Sequence, residues 1–170
     1  MKTSFKIAAT AIGLSLTGIS ANAQSIVEIA AGDARFSTLV AAVQAAGLVE
    51  VLSGPGPFTV FAPVNDAFAA LPAGTVETLL LAENRAQLVD ILMYHVDDGA
   101  LMSGMIPTGI TALEPLLADN RLCVTNNGDG VMIADGTGTM ATVVIADIVA
   151  DNGVIHVIDK VLLPGNAPDC

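Results

Sequence analysis

A chain of 170 residues that is 53% hydrophobic has enough apolar side chains for one full core, which excludes intrinsic disorder. Its 17 acidic residues against 6 basic ones give a net charge of −11, which excludes nucleic acid and anionic lipid as partners.

The N-terminus reads as a secretory signal peptide. Lys2 and Lys6 give the positive end, residues 7–19 the apolar stretch, and Ala21-Asn22-Ala23 a small-residue cleavage site. The stretch is too short and too interrupted by Ser, Thr and Gly to span a bilayer, and no second long apolar run follows. Residues 1–23 are therefore read as the signal and 24–170 as one exported domain, periplasmic or secreted, without membrane insertion. Losing Lys2 and Lys6 leaves Arg35, Arg85, Arg121 and Lys160 against 17 acids, a net −13.

Residues 25–31 predict a short helix ended by Gly32. Asp33 then caps a longer one, in which Phe36, Leu39, Val40 and Val43 fall at i, i+3, i+4 and i+7 before Gly47. Residues 48–52 add a helical turn, and Ser53-Gly54-Pro55-Gly56-Pro57 is a loop. Residues 58–61 read as a strand stopped by Pro63, with Asn65 or Asp66 capping a helix over 67–71. After a short helix over 76–82, Asn84 and Gln87 imitate a capping box that opens a helix over 85–94. On it Leu88, Ile91, Leu92 and His95 form an apolar stripe, so His95 is expected to be buried; Tyr94 lies one position off.

From 96 to 121 the pattern is a Gly-interrupted strand or two. Strands follow at 122–125, 131–134 and 139–148, separated by Asn/Asp/Gly turns. Asn152-Gly153 has hairpin-turn chemistry and leads into a strand over 154–163 that Pro164 ends. Both faces of that strand are mostly apolar, so it is expected at the centre of a sheet covered on each side. His156, Asp159 and Lys160 interrupt the run, and each needs a hydrogen-bond or charge partner or a place at the rim. Helices in the first half and an antiparallel meander in the second make an α+β pattern.

No reaction constellation can be assembled. Ser25, Ser37, Ser53 and Ser103 lie outside any G-x-S-x-G elbow, and His95 and His156 are not tied to a nucleophile. The two histidines also lack metal-ligand spacing, and residues 125–130 read as a hairpin turn because Thr125 stands where a calcium loop needs its first carboxylate. No catalytic or metal-binding residue is therefore expected. Cys123 and Cys170, in an exported chain, are expected to pair, either within the chain or as a cross-link between two chains.

Three motifs in order carry a family resemblance: FTVFAPVNDAFAALP at 58–72, Leu92-Met93-Tyr94-His95-Val96, and NGVIHVIDKVLLP at 152–164. Together they resemble the fasciclin-type (FAS1) domain family, over about residues 26–164. The resemblance implies a FAS1-like β-wedge of antiparallel or mixed sheets with helices packed along it. It also implies a non-enzymatic, cofactor-free binding module that attaches to a cell-surface or extracellular-matrix protein; a small-molecule or glycan-binding periplasmic protein is the alternative. A monomer is expected. Within the family a Tyr-His segment is implicated in adhesion, which points to Tyr94 and His95. In its animal members an Asp-Ile pair ahead of the last motif is associated with integrin recognition, which points to Asp147 and Ile148. Around that pair this sequence departs, with Ala146 before it and Val149-Ala150-Asp151 after. The structural alternatives are a core-facing His95, an Ile148 in the core and an Asp147 that bonds a turn.

Overall fold

The computed structural model describes residues 24–166 and Cys170; the predicted signal segment lies outside the described residues. Helix α1 (Ile26–Gly32) opens with a capping box, the Ser25 hydroxyl accepting from the Glu28 amide while the Glu28 carboxylate accepts from the Ser25 amide. Asp33 caps a 3₁₀ turn over Ala34–Phe36, which runs into α2 (Ser37–Ala46) and stops at Gly47 in the left-handed conformation, φ 74°. Phe36, Leu39 and Val43 are buried as the stripe predicts. The short α3 (Val49–Leu52) and the Pro-Gly loop deliver the chain to strand β1 (Phe58–Pro63). Helices α4 (Asn65–Ala69), α5 (Thr75–Leu79) and α6 (Arg85–Tyr94) follow, then strands β2 (Val96–Asp98), β3 (Gly109–Leu113), β4 (Leu122–Asn126), β5 (Val131–Ala134), β6 (Met140–Ala150) and β7 (Gly153–Ile158).

The seven strands form one sheet in the order β2-β1-β7-β6-β5-β4-β3. Pairing is antiparallel except between β1 and β7, which run parallel with Phe58 opposite Gly153 and Phe61 opposite His156. A parallel pair needs a long crossover, and residues 64–152 supply it. The sheet curls into a wedge, and this separates two cores. On one face Val60, Ala62, Ile155 and Val157 pack against Ile26, Phe36, Leu39, Val43, Leu88 and Leu92 of the helices. On the other, Phe61 and Ile158 pack against Leu122, Val124, Ile133 and Ala141 of the folded-over meander. Each Val, Leu, Ile or Phe among them, fully buried, contributes roughly 1.5–3 kcal/mol. Every residue of β7 is buried, as a strand covered on both faces requires.

Several expectations need correction. The closing strand ends at Ile158, five residues before the predicted end. Asp159 accepts from the Thr142 amide (2.7 Å) and the chain bends there, so Val161 and Leu162 are buried without entering the ladder. The β6–β7 turn is Asp151-Asn152, one residue earlier than expected, and Gly153 already belongs to β7. A glycine is needed there for another reason: a Cβ would sit 1.9 Å from the Phe58 carbonyl oxygen. β1 runs on to Pro63, opposite Ile158, rather than stopping short of it. Neither Asn65 nor Asn84 caps its helix. Asn65 reaches the Thr38 amide and the Ala34 carbonyl, and Asn84 donates to the Thr78 carbonyl. Partners outside the helix each one was expected to cap thus took both side chains.

Cys123 and Cys170 are joined within the chain, their Cα atoms 5.9 Å apart. The Asn126–Gly130 hairpin is held by Asn side chains, Asn126 accepting from Gly128 and Asn127 from Asp129 and Gly130. Among the described residues no helix is long and apolar enough to cross a membrane, and no group of three or more His, Cys, Asp or Glu could hold a metal ion.

Candidate recognition site around Asp147

Strand β6 serves both halves of the sheet, pairing with β5 through its first residues and with β7 through its last. To turn between them it carries register shifts on either side of Ile145, and Asp147 takes a left-handed conformation, φ 60°. Asp and Asn tolerate that region better than other non-glycine residues. The bulge aims the Asp147 carboxylate at the segment after β2. One oxygen accepts from the Ser103 amide at 2.6 Å and the other from the Ser103 hydroxyl. These bonds, the hydroxyl first, hold the Asp147 carboxyl below the ordinary carboxylate range.

The same segment is stitched to three neighbouring strands. Thr59 of β1 donates to the Gly99 carbonyl and accepts from the Leu101 amide, at 2.6 and 2.8 Å. His156 of β7 stacks on Phe61 and accepts from the Asp147 amide through Nδ1 (3.3 Å), which leaves Nε2–H to donate to the Leu101 carbonyl (2.6 Å). Thr59, His156 and Asp147 therefore fasten residues 99–103 across β1, β7 and β6 in turn. Around this clasp the surface is apolar: Met105 and Val149 are each 64% exposed, and Val144 and Ile145 are exposed as well. An open groove of about 700 Å³ lies beside it, lined by Met102, Val149, Pro55, Pro57 and the Asp151-Asn152 turn. Ile148 is half-buried and packs on the rim of the helix-side core.

Tyr94 and His95 lie elsewhere and both are buried. The Tyr94 hydroxyl donates to the Arg121 carbonyl (2.7 Å), and burial pushes its pKa up to about 12. His95 donates through Nδ1 to the Ile91 carbonyl (2.7 Å) and accepts from the Leu162 amide at Nε2 (2.9 Å). Burial pushes the imidazole down to about 4, so it is neutral at ordinary pH. The neighbouring Asp135, also buried, accepts from Thr137, Thr139 and Leu163. The Tyr-His segment thus fixes the chain around 121 and 162 and presents nothing to solvent.

Sequence reasoning missed Ser103, which lies in the weakly patterned connector. It also missed the structural work of Asn152, whose side chain accepts from the Ile26 amide and donates to the Leu52 and Gly54 carbonyls. The Asn-Gly pair was a signal for the second but led only to a turn.

Comparison with known proteins fits this architecture. A profile for the fasciclin domain matches residues 34–164. Protein sll1483 of Synechocystis is 55% identical over 143 residues, covering 84% of this chain and 75% of that protein. The pig transforming growth factor-beta-induced protein ig-h3 is 44% identical over 142 residues, covering 82% of this chain and 19% of that much longer protein. Among solved structures, a FAS1 domain pair from the insect cell adhesion molecule Fasciclin I superposes with a TM-score of 0.56 at 23% identity, covering 71% of this chain and 42% of that one. By profile and by relatives, this chain belongs to the fasciclin domain family.

Proposed function

We propose that the protein is an exported, non-enzymatic adhesion module that meets a cell-surface or matrix protein through the surface around the Ser103–Asp147 clasp. The observation that carries this reading is the exposure of Met105 and Val149, each two residues past a member of the hydrogen-bonded Ser103–Asp147 pair. Exposed apolar side chains on a fastened scaffold are what a protein-binding surface needs. Membership of a family that includes the adhesion molecule Fasciclin I supports the same reading. The Cys123–Cys170 bond supports export, because such bonds persist in oxidising compartments. Against a small molecule enclosed between helices and sheet weighs the size of the apolar cavity there, about 30 Å³ among Ile26, Leu39, Val43, Leu52 and Val60, room for little more than a water.

The test is attachment of the exported chain to surface extracts of its own and neighbouring cells, with Asp147→Asn beside wild type. Asn keeps the left-handed backbone and an acceptor for the Ser103 amide, so the melting temperature should move little. Attachment should fall measurably because the charge is gone. Equal attachment at equal stability removes Asp147 from the site, and earlier melting with unchanged attachment makes its role structural.

A further inference from the structure

Two asparagines precede a glycine, Asn127 and Asn152, and the fold treats them differently. Such a pair has the chemistry of succinimide formation, in which the glycine nitrogen attacks the asparagine side-chain carbonyl carbon. With no Cβ on the glycine, that approach is open. Asn152 is locked. Its Oδ1 accepts from the Ile26 amide at 3.0 Å, and its Nδ2 donates to the Leu52 and Gly54 carbonyls at 2.6 and 3.0 Å, partners at least 98 positions away. Gly153 is buried in β7, opposite Phe58 of β1 on one side and Ala150 of β6 on the other. Asn127 is exposed at the tip of the β4–β5 hairpin, and so is Gly128, which lies outside both strands. Here the hydrogen bonds stay within the turn. Asn127 Oδ1 accepts from the Asp129 and Gly130 amides at 3.1 and 2.9 Å, and the Gly128 amide donates to Asn126 Oδ1 at 2.9 Å.

We propose that Asn127 is a self-modification site, at which the Gly128 nitrogen closes on Cγ and the asparagine ages to isoaspartate while Asn152 is spared. The Gly128 N–H gives its proton to water, the N–Cγ bond forms, the Cγ–Nδ2 bond breaks and ammonia leaves. Negative charge develops on Oδ1 during the attack, and two backbone amides already donate to that atom. Water then opens the imide on one side or the other, giving isoaspartate or aspartate. An exposed turn held by local bonds opens for this at little cost, whereas Asn152 would have to break three long-range bonds and draw Gly153 out of two ladders. The isoaspartyl product adds a main-chain atom beside Asn126, whose Nδ2 donates to the Ile106 carbonyl (2.8 Å) and ties this tip to the segment that carries Met105.

The test is incubation of the exported, disulfide-bonded chain in mildly alkaline buffer at physiological temperature, with sites located by fragment-ion mass spectrometry. The mass gain that exchanges an amide for an acid is expected at Asn127 at least about tenfold faster than at Asn152. Methyl transfer from S-adenosylmethionine by an isoaspartyl-directed carboxyl methyltransferase should mark the isoaspartyl share. In strong urea the two sites should react at similar rates, since the fold is what separates them. Asn127→Gln, whose longer side chain needs a larger ring, should abolish reaction at that position and leave Asn152 as it was. No gain at Asn127 in the folded chain, equal rates at the two sites, or a tenfold difference that persists in urea overturns the proposal.

Discussion

Asp97 offers the sharpest test of the electrostatics. It lies on β2 opposite Thr59, is 8% exposed, and is bridged by Pro115, which brings Glu114 close beside Asp98. Among the described residues the one ion pair is Arg35–Asp33, so no salt bridge reaches Asp97. Burial first, then Asp98 and Glu114, push its carboxyl up to about 6 from 3.8. The folded state therefore holds this proton more tightly than the unfolded chain. The contribution is fully present below about 3.8 and lost as pH rises through about 6. At neutral pH the ionised group costs up to about 3 kcal/mol, at 1.36 kcal/mol per pKa unit, and incomplete burial reduces this to about 1–2. Asp97→Asn removes the charge at constant shape and supplies an N–H donor toward its acidic neighbours. It should stabilise the fold by that amount near pH 7, read as a higher urea midpoint at unchanged slope, with the gain vanishing near pH 4. Lower stability at pH 7, or a gain that does not depend on pH, would refute the reasoning.

His95 acts with the opposite sign in nearly the same window. Its pKa falls from 6.5 to about 4 on folding, so the stability it lends is present above 6.5 and lost as pH falls through about 4. The two effects mask each other in wild type. In the Asp97→Asn background stability should drop by about 3 kcal/mol between those pH values, measured by urea titration. Replacing His95 with Ala should cost about 3 kcal/mol at pH 7 in the same assay, through two lost hydrogen bonds and a cavity. Reducing Cys123–Cys170, separated by 47 positions, should cost about 4 kcal/mol by the chain-entropy relation, seen as a lower denaturation midpoint in reductant. Gly153→Ala would drive a methyl into the Phe58 carbonyl and should cost more than about 3 kcal/mol, with the loss of protection from hydrogen exchange centred on the parallel β1–β7 pair.

What the sequence made legible was periodic. The stripes of α2 and α6 and the two apolar faces of β7 repeat at 3.6 and 2 residues, and those positions are buried except Val40, which is half-buried. Where the pattern was ambiguous the reading failed. Val161-Leu162-Leu163 continue the apolar run of β7, and bonds made by distant residues, Asp159–Thr142, His95–Leu162 and Asp135–Leu163, draw the chain out of the ladder earlier. The site was hidden for a similar reason. Alternation through β6 gives no sign of the bulge at Asp147, and Ser103 sits 44 positions away in a stretch without period. Tyr94, one place off the stripe, is buried because the second core covers the far side of α6's end.

The claim that most needs testing is that recognition runs through the apolar surface at the clasp. Met105→Glu with Val149→Glu changes two exposed side chains that touch neither Asp147's hydrogen bonds nor the cores. Binding of this variant to the surface extract that captures wild type, with melting followed in parallel, is the direct measurement. The account predicts at least a tenfold loss of binding, about 1.4 kcal/mol, at unchanged melting temperature. Binding equal to wild type would place recognition elsewhere on the molecule.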